Sequence, residues 1–233
     1  MKRFVWAVGA IALAVTGNAY AADGTFDLAK NCSSCHALAK PADVSPDASF
    51  ERMRTRKGPD LWYAGDKFNA AWLTAWLQDP KPIRPAGYPY FAHIKKGAEH
   101  DEVDPSTITP HLKLSATDAA AATTALMALK GPPDLVPAGS FKGDMAGVRM
   151  GALSFNKLRG CSSCHEGEAG KGGLSGPELT DAGARLRPDF IVAYTADPQR
   201  FDPHVWMPTL KLNDKDLQRI TAYLVSLGKG DKE

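Results

Sequence analysis

One pentapeptide occurs twice in this chain, and it restricts what the chain can fold around. Cys32-Ser33-Ser34-Cys35-His36 recurs as Cys161-Ser162-Ser163-Cys164-His165, and the two copies contain all four cysteines of the 233 residues. C-x-x-C followed directly by His is the attachment pattern of c-type haem, in which two thiols hold the porphyrin and the His ligates the iron. We therefore predict two covalently bound haem c groups. The predicted attachment residues are Cys32, Cys35, Cys161 and Cys164, and the predicted iron ligands are His36 and His165.

Other roles for paired cysteines fit the sequence less well. A four-cysteine zinc site separates its pairs by about 15 to 20 residues, whereas 125 residues lie between Cys35 and Cys161. A thioredoxin-like redox pair expects a βαβ setting, which the sequence pattern does not show. Structural disulfides of an exported protein are the remaining alternative. None of these explains why a His follows the second Cys in both copies.

The N-terminus has the pattern of a secretory signal peptide. A cationic Met1-Lys2-Arg3 precedes an apolar run from Phe4 to about Val15, and Ala19-Tyr20-Ala21 provides a small-x-small cleavage site. The apolar run is shorter than the roughly 20 residues that span a bilayer. We predict a signal peptide over residues 1–21, cleavage after about Ala21 and a periplasmic protein. An uncleaved membrane anchor is the alternative.

Charge gives little indication of a nucleic-acid partner. The formal net charge of +2 includes Lys2 and Arg3, so the predicted mature chain is formally neutral. No basic patch for nucleic acid is predicted. No other segment is long and apolar enough to predict a transmembrane helix in the mature chain.

The two halves of the chain share further motifs in the same order. Gly58-Pro59-Asp60-Leu61 matches Gly176-Pro177-Glu178-Leu179, and the register from these glycines holds without a gap for 21 residues. Later, Leu112-Lys113-Leu114 matches Leu210-Lys211-Leu212. We predict two domains of one fold, residues 22–130 (the first half) and 144–233 (the second half). A proline-rich linker over residues 131–143 would join them, because proline withholds amide donors and disfavours helix.

The first half is longer than the second in two places. From Cys32 to Gly58 there are 26 positions, against 15 from Cys161 to Gly176. From Pro80 to Leu112 there are 32 positions, against 12 from Pro198 to Leu210. We call residues 81–111 the first-half insertion.

The periodicity predicts an all-α fold, without convincing period-two alternation. Ala70 to Gln78 carries apolar residues at helical spacing and ends before Pro80. Met145 to Leu158 can form a helix before the second pentapeptide. Ser115 and Asn213 are predicted caps before helices over 119–129 and 217–227, the latter ending at Gly228.

With these motifs in this order, the chain resembles the class I cytochromes c, specifically their two-domain dihaem members. The resemblance covers nearly all of residues 22–229. It implies that the carbonyls of Pro59 and Pro177 accept hydrogen bonds from His36 and His165. It also implies that Met207, in Met207-Pro208, is the sixth ligand of the second haem. His204, three residues earlier, is the minor rival.

The first half departs from this pattern at the sixth ligand. Alignment of the Leu-Lys-Leu motifs places Thr109 opposite Met207, and threonine is not a credible strong iron ligand. His111, His93 and His100, in that order of preference, are the candidates for an imidazole ligand. A haem without any side-chain ligand at this position is the third option, because an open iron position permits binding of small ligands.

The sequence favours an electron carrier over an enzyme. The expected protein is a periplasmic dihaem cytochrome whose first haem is bis-His and whose second, His/Met, has the higher potential. Its partners would be periplasmic redox proteins of unknown identity. The alternative is a haem enzyme, or the cytochrome subunit of a periplasmic oxidoreductase, with the first haem as an open, ligand-binding centre.

Overall fold

The computed structural model describes residues 25–42, 45–99 and 101–228, so the predicted signal peptide and His100 lie outside the described residues. The described part is mainly helical, with one short hairpin. The helices are α1 (Leu28–Cys32), α2 (Pro46–Thr55), α3 (Ala64–Lys67), α4 (Ala70–Gln78), α5 (Ala116–Met127), α6 (Val148–Leu153), α7 (Ala182–Arg185), α8 (Pro188–Ala196) and α9 (Asp214–Ser226), and the strands are β1 (Ile94–Lys96) and β2 (Asp101–Val103). Within this part of the chain no helix has the length and apolar character needed to cross a membrane.

The helices of the first half recur in the second. The starts of α3 and α7, and those of α4 and α8, lie 118 positions apart. Helix α4 ends at Gln78, as predicted, because the Asp79-Pro80 step disfavours continued helix. Helix α8 begins with Pro188 in its first turn, where the missing amide costs nothing.

The closing helices α5 and α9 begin at matching caps. The Ser115 hydroxyl accepts a hydrogen bond from the Asp118 amide at 3.1 Å, and Asn213 Oδ1 accepts one from the Asp216 amide at 2.9 Å. Both predicted caps are confirmed, although the helices begin at residues 116 and 214, three positions before the predicted starts. Gly228, with a φ of 70°, ends the last turn of α9.

Each closing helix is tied to its own half in the same way. Helix α5 packs on α3 and α4, and α9 packs on α7 and α8. The amide of Gly65 donates to the carbonyl of Leu129 at 2.8 Å, and the amide of Gly183 donates to that of Leu227 at 2.9 Å. The repeated sequence motifs therefore correspond to a repeated tertiary contact.

The helix before the second pentapeptide is less regular than the sequence predicts. Helix α6 covers Val148–Leu153, and a π-helical turn then covers Ser154–Leu158. Phe155, in this turn, is 2% exposed and packs against Tyr223 of α9 with ring centroids 5.4 Å apart. The wider turn keeps Phe155 in the core while the chain approaches Cys161.

The two halves meet about an approximate two-fold axis. The backbone amide of Asn69 donates to the carbonyl of Arg185, and the backbone amide of Arg187 donates to the carbonyl of Lys67, both at 2.9 Å. In the sequence alignment Asn69 corresponds to Arg187 and Lys67 corresponds to Arg185. Each bond is therefore the counterpart of the other, as at an isologous interface.

Side chains at this interface follow the same relation, although both members of the pair differ between the halves. Tyr63 stacks on Phe190 with ring centroids 6.0 Å apart. At the corresponding place Trp72 Nε1 donates to Asp181 Oδ2 at 2.8 Å. Tyr63 corresponds to Asp181 and Trp72 to Phe190, so the second half has a carboxylate where the first has a phenol.

The first-half insertion contains a hairpin that the sequence analysis does not predict. Strands β1 and β2 pair antiparallel, with Ile94 opposite Val103. Each strand has three residues, too few to show alternation in the sequence. The all-α prediction is therefore correct for the helical framework and incomplete for this insertion.

Candidate haem sites

Helix α1 delivers the first pentapeptide as a continued helical turn. The amides of Cys35 and His36 donate to the carbonyl of Cys32 at 3.1 and 3.0 Å. Residues three and four positions apart lie on one face of such a turn. Both thiols and the imidazole therefore project from the same side of the backbone.

The second pentapeptide has the same geometry. The amides of Cys164 and His165 donate to the carbonyl of Cys161 at 3.2 and 3.1 Å. All four cysteines are free thiols, so the structure does not contain the alternative disulfides. Among the described residues no group of three or more His, Cys, Asp or Glu side chains is placed to hold a metal ion.

Both proximal histidines are oriented by a proline carbonyl. His36 Nδ1 lies 2.7 Å from the carbonyl oxygen of Pro59, and His165 Nδ1 lies 2.8 Å from that of Pro177. Because a carbonyl only accepts, the Nδ1 atom must carry the proton and Nε2 is left with its lone pair. This tautomer is the one that binds a metal through Nε2.

Glycine allows the backbone to approach each ring. A Cβ at Gly58 would lie 2.5 Å from His36 Cε1, and one at Gly176 would lie 2.7 Å from His165 Cε1. Burial lowers the pKa of His36 and of His165, and the hydrogen bonds to the proline carbonyls oppose this effect in part. Both imidazoles are therefore favoured in the neutral form that a metal requires.

His111 faces His36 across the first site. The two ring centroids lie 6.1 Å apart, with an angle of 50° between the rings. His111 Nδ1 lies 2.8 Å from the carbonyl oxygen of Leu112, which again leaves Nε2 as the free nitrogen. Two imidazoles on opposite sides of one metal, each with a bond of about 2.0 Å, have centroids about 6 Å apart. The separation fits one iron between them.

Trp76 supports the His111 ring, and the sequence analysis assigned it no role at the site. The indole lies edge-on to His111 with centroids 4.7 Å apart. Its Nε1 donates to the carbonyl of Lys81 at 3.0 Å, which fixes the indole against the start of the insertion. The imidazole is thus held by a backbone carbonyl on one side and an aromatic edge on another.

The other histidines of the first half have different surroundings. His93 Nδ1 lies 2.9 Å from Thr107 Oγ1, and its Nε2 lies 3.3 Å from the carbonyl oxygen of Tyr88. Both nitrogens are therefore occupied in holding the insertion together. His100, the third candidate, lies outside the described residues.

The Met207 segment is fixed by its own half. Gln199 Nε2 donates to the carbonyl of Met207 at 2.9 Å, and Gln199 Oε1 accepts from the Thr209 hydroxyl. Met207 is partly buried, whereas the preceding Trp206 is 51% exposed. The rival His204 has its ring 6.3 Å from that of Phe50 in the first half. Ligation by Met207 stays a prediction.

Positive charge is in excess between the two sites. Three carboxylates are matched by three arginines, in the pairs Arg52–Asp60, Arg56–Asp202 and Arg185–Asp181. Among the described residues no carboxylate lies within ion-pairing distance of Lys67 or Arg84. Burial is the main cause of the lowered pKa of both proximal histidines, and the positive charges of Lys67 at His36 and of Arg84 at His165 act in the same direction.

Lys67 differs from its counterpart in the second half. Arg185 is paired with Asp181 at 2.8 Å, whereas the Lys67 ammonium lies 4.9 to 5.8 Å from the ring centroids of Tyr63, Phe68 and Phe190. Burial, and then the neighbouring arginines, lower the pKa of Lys67 to about 7. Haem carries carboxylates, so surplus cations beside both proximal histidines fit that group. Lys67 has no such partner in its own half, because Tyr63 stands at the position that corresponds to Asp181 in the repeat alignment.

Comparison with known proteins gives a match that falls in the second half of the chain. Residues 148–228 match the Cytochrome c family model. The match supports a haem-binding electron-transfer protein of the cytochrome c family with covalently bound haem c. No curated protein and no solved structure is significantly similar to the chain.

Proposed function

We propose that the chain is a periplasmic dihaem c-type cytochrome of two domains that passes single electrons between redox proteins. Site 1 comprises Cys32, Cys35, His36 and His111. Site 2 comprises Cys161, Cys164, His165 and Met207. The family match covers site 2, and the repeated helices and the repeated histidine–proline bonds support the same role for site 1.

The approach of His111 to His36 is the observation that carries this proposal. Their rings lie 6.1 Å apart, and the Nδ1 atom of each is engaged by a backbone carbonyl. The Nε2 atom of each ring is thus left free, and the separation of the ring centroids suits one iron between the rings. This arrangement favours bis-His ligation and disfavours the alternative of an open, ligand-binding centre at site 1.

The bound haem would supply an iron that alternates between the ferric and ferrous states. The residues of the chain set the conditions for that exchange. Imidazoles at site 1 favour a low potential, whereas the soft thioether of Met207 at site 2 favours the ferrous state and a higher potential. Electrons would accordingly pass from site 1 to site 2. With His36 and His111 holding the iron at site 1, and His165 and Met207 holding it at site 2, the chain itself would exclude exogenous ligands.

Carbon monoxide binding to the reduced, haem-loaded protein tests this function. The wild type is expected to give no spectral change with carbon monoxide, because side chains occupy every axial position. His111→Ala is expected to bind carbon monoxide at one haem per chain. The matched control, His93→Ala, removes an imidazole that the structure engages elsewhere and is expected to behave as the wild type. Ready binding by the wild type would support the open-centre alternative.

A further inference from the structure

In its described residues, the first-half insertion contacts the second half at two places next to site 2. The amide of Glu178 donates to the carbonyl of Ile83 at 2.7 Å, and Arg84 Nη1 donates to the carbonyl of Ser175. At the second place, Phe91 stacks on Trp206 with centroids 6.0 Å apart and an angle of 29°. The insertion therefore contacts the residues around Pro177 and the residue before Met207.

The first contact fixes the segment that orients His165. Ser175 and Glu178 flank Gly176 and Pro177, and the Pro177 carbonyl lies 2.8 Å from His165 Nδ1. On its inner side this segment is also held by the Gly176 amide, which donates to the carbonyl of Cys164 at 2.7 Å. The insertion supplies the outer support.

The second contact acts on the methionine segment. Trp206 is 51% exposed and Phe91 is 55% exposed, so neither ring is held by burial in a core. Tyr88 adds a further ring contact, with its centroid 6.3 Å from that of Trp206. Aromatic pairs of this kind are stabilising beyond the apolar area that they bury. They restrict Trp206 and hence the adjoining Met207.

The insertion also has stabilising contacts of its own. The β1–β2 hairpin closes it, and His93 links Thr107 to the carbonyl of Tyr88. The Tyr88 ring is covered by two guanidinium groups, those of Arg56 and Arg84, at 4.4 and 5.1 Å from its centroid. Arg56 in turn is paired with Asp202 of the second half at 2.7 Å.

At site 1 the corresponding segment is held by its own half. Pro59 is followed by Asp60, which pairs with Arg52 of helix α2. At site 2 the proximal segment is also held from within its half, by Cys164 and Arg185. Among the described residues, only there does the other half add contacts, through Ile83 and Arg84.

We propose that the first-half insertion positions both axial ligands of site 2, with Arg84 acting on His165 through the Ser175–Glu178 segment and Phe91 acting on Met207 through Trp206. This inference rests on the proposed function. Arg84 and Phe91 are positioning residues, because each acts through another residue. The redox equilibrium of site 2 is therefore set partly by the other half of the chain.

The test uses the haem-loaded protein and two variants that leave its net charge unchanged. Phe91→Ala removes the stack on Trp206. Arg84→Lys keeps the cation but loses the planar fork that reaches Ser175 while covering Tyr88. Spectroelectrochemical titration gives the potential of each site, and the far-red absorption of a thioether-ligated ferric haem reports Met207. Phe91→Tyr retains a stacking ring and serves as the matched control.

Phe91→Ala is expected to raise the ferric-to-ferrous ratio of site 2 about tenfold at a given applied potential, which corresponds to about 59 mV for one electron. Its thioether band should weaken as well. Arg84→Lys should shift site 2 toward the ferrous state, because a weaker hydrogen bond to the Pro177 carbonyl lowers the basicity of the His165 ring, and Phe91→Tyr should keep the wild-type values. Site 1 should move less than twofold in all three variants. The proposal would be overturned if neither Phe91→Ala nor Arg84→Lys changed the potential of site 2, or if the potentials of both sites shifted equally.

Failure of the proposed function would be seen separately, in the wild type. A wild type without the thioether band would contradict Met207 ligation. The shift of site 2 relative to site 1 in Arg84→Lys would still decide whether the insertion positions the His165 side of the site.

Discussion

Site 1 and site 2 are nearly identical on the proximal side and different on the distal side. The Nδ1-to-carbonyl distances of His36 and His165 are 2.7 and 2.8 Å, and a glycine adjoins each ring. Across from His36 the first half presents His111, whereas the predicted sixth ligand of the second half is Met207 in the aligned Met-Pro segment. The duplicated unit has kept one face of each site and changed the other.

The difference follows from what fixes each side. The proximal geometry depends on backbone groups, namely a carbonyl and a glycine that lacks a Cβ, so few substitutions preserve it. The proposed distal ligand of each site is a side chain on a loop, and a loop tolerates both insertion and exchange. Thr109-Pro110-His111-Leu112 and Met207-Pro208-Thr209-Leu210 show such an exchange around a shared proline.

Loss of one attachment site should give the largest effect. Cys32→Ala with Cys35→Ala removes both thioether bonds of site 1, so haem content should fall from two per chain to one. Mass spectrometry and the absorbance of the pyridine haemochrome measure this ratio. Ser33→Ala with Ser34→Ala alters the same turn without touching a thiol and should keep two haems. One haem per chain in the wild type would show that the sites are not equivalent in attachment.

Met207→Ala should affect site 2 alone. Loss of the thioether removes the ligand that favours ferrous iron, and the potential of site 2 should fall on the order of 100 mV. A redox titration followed optically measures both sites in one experiment. Met150→Ala removes an exposed thioether of the same half and should change neither potential. A fall at both sites would indicate general unfolding instead.

The distal difference can also be reversed in the first half. Thr109→Met combined with His111→Thr gives site 1 the Met-Pro-Thr-Leu order of residues 207–210. The potential of site 1 should rise toward that of site 2, because a thioether replaces an imidazole. Thr109→Met alone leaves His111 in place and should produce a much smaller rise. If the double variant binds carbon monoxide instead, the loop cannot deliver a ligand from position 109.

Much of this comparison was open to prediction from the sequence. The pentapeptides, the caps at Ser115 and Asn213 and the end of α4 before Pro80 are local signals, and the structure bears out the caps and the helix end. The insertion was recognised by its length, but its hairpin and its contacts with Trp206 were not predicted. Those contacts are tertiary and involve residues that lack a repeat partner.

The choice among the histidines shows the same limit. Proximity to the Leu-Lys-Leu motif placed His111 first, and the structure brings its ring opposite His36. His93 could be separated from it only through its bonds to Thr107 and Tyr88, which no spacing rule reveals. The excess of positive charge between the sites was likewise not predicted. Lys67 corresponds to Arg185 and Tyr63 to Asp181 in the repeat alignment, but the effect of these differences on charge is visible only at the interface.

Lys67→Met should have the smallest effect on potential. A cation opposes the extra positive charge of ferric iron, so its removal should lower the potential of site 1. A unit charge roughly 10 Å away at an effective dielectric constant of about 20 changes it by on the order of tens of mV. Lys95→Met, on the exposed strand β1, should leave it unchanged.

The pH dependence of the same potential tests how Lys67 is neutralised. Burial lowers its pKa to about 7, and a haem carboxylate beside it would raise that pKa again. The potential of site 1 should therefore not depend on Lys67 titration between pH 6 and 8. If the ammonium were unpaired, it would lose its proton as the pH rises through about 7, and the wild-type potential would fall toward that of Lys67→Met.

The near-infrared magnetic circular dichroism of the fully oxidised, haem-loaded protein tests the central difference between the sites most directly. The energy of its charge-transfer band depends on the pair of axial ligands of low-spin ferric haem. Two bands of similar intensity are expected, one typical of bis-His ligation and one typical of His/Met ligation, and His111→Ala should remove the first alone. A single class of ligation at both haems, or a high-spin haem in the wild type, would contradict the account.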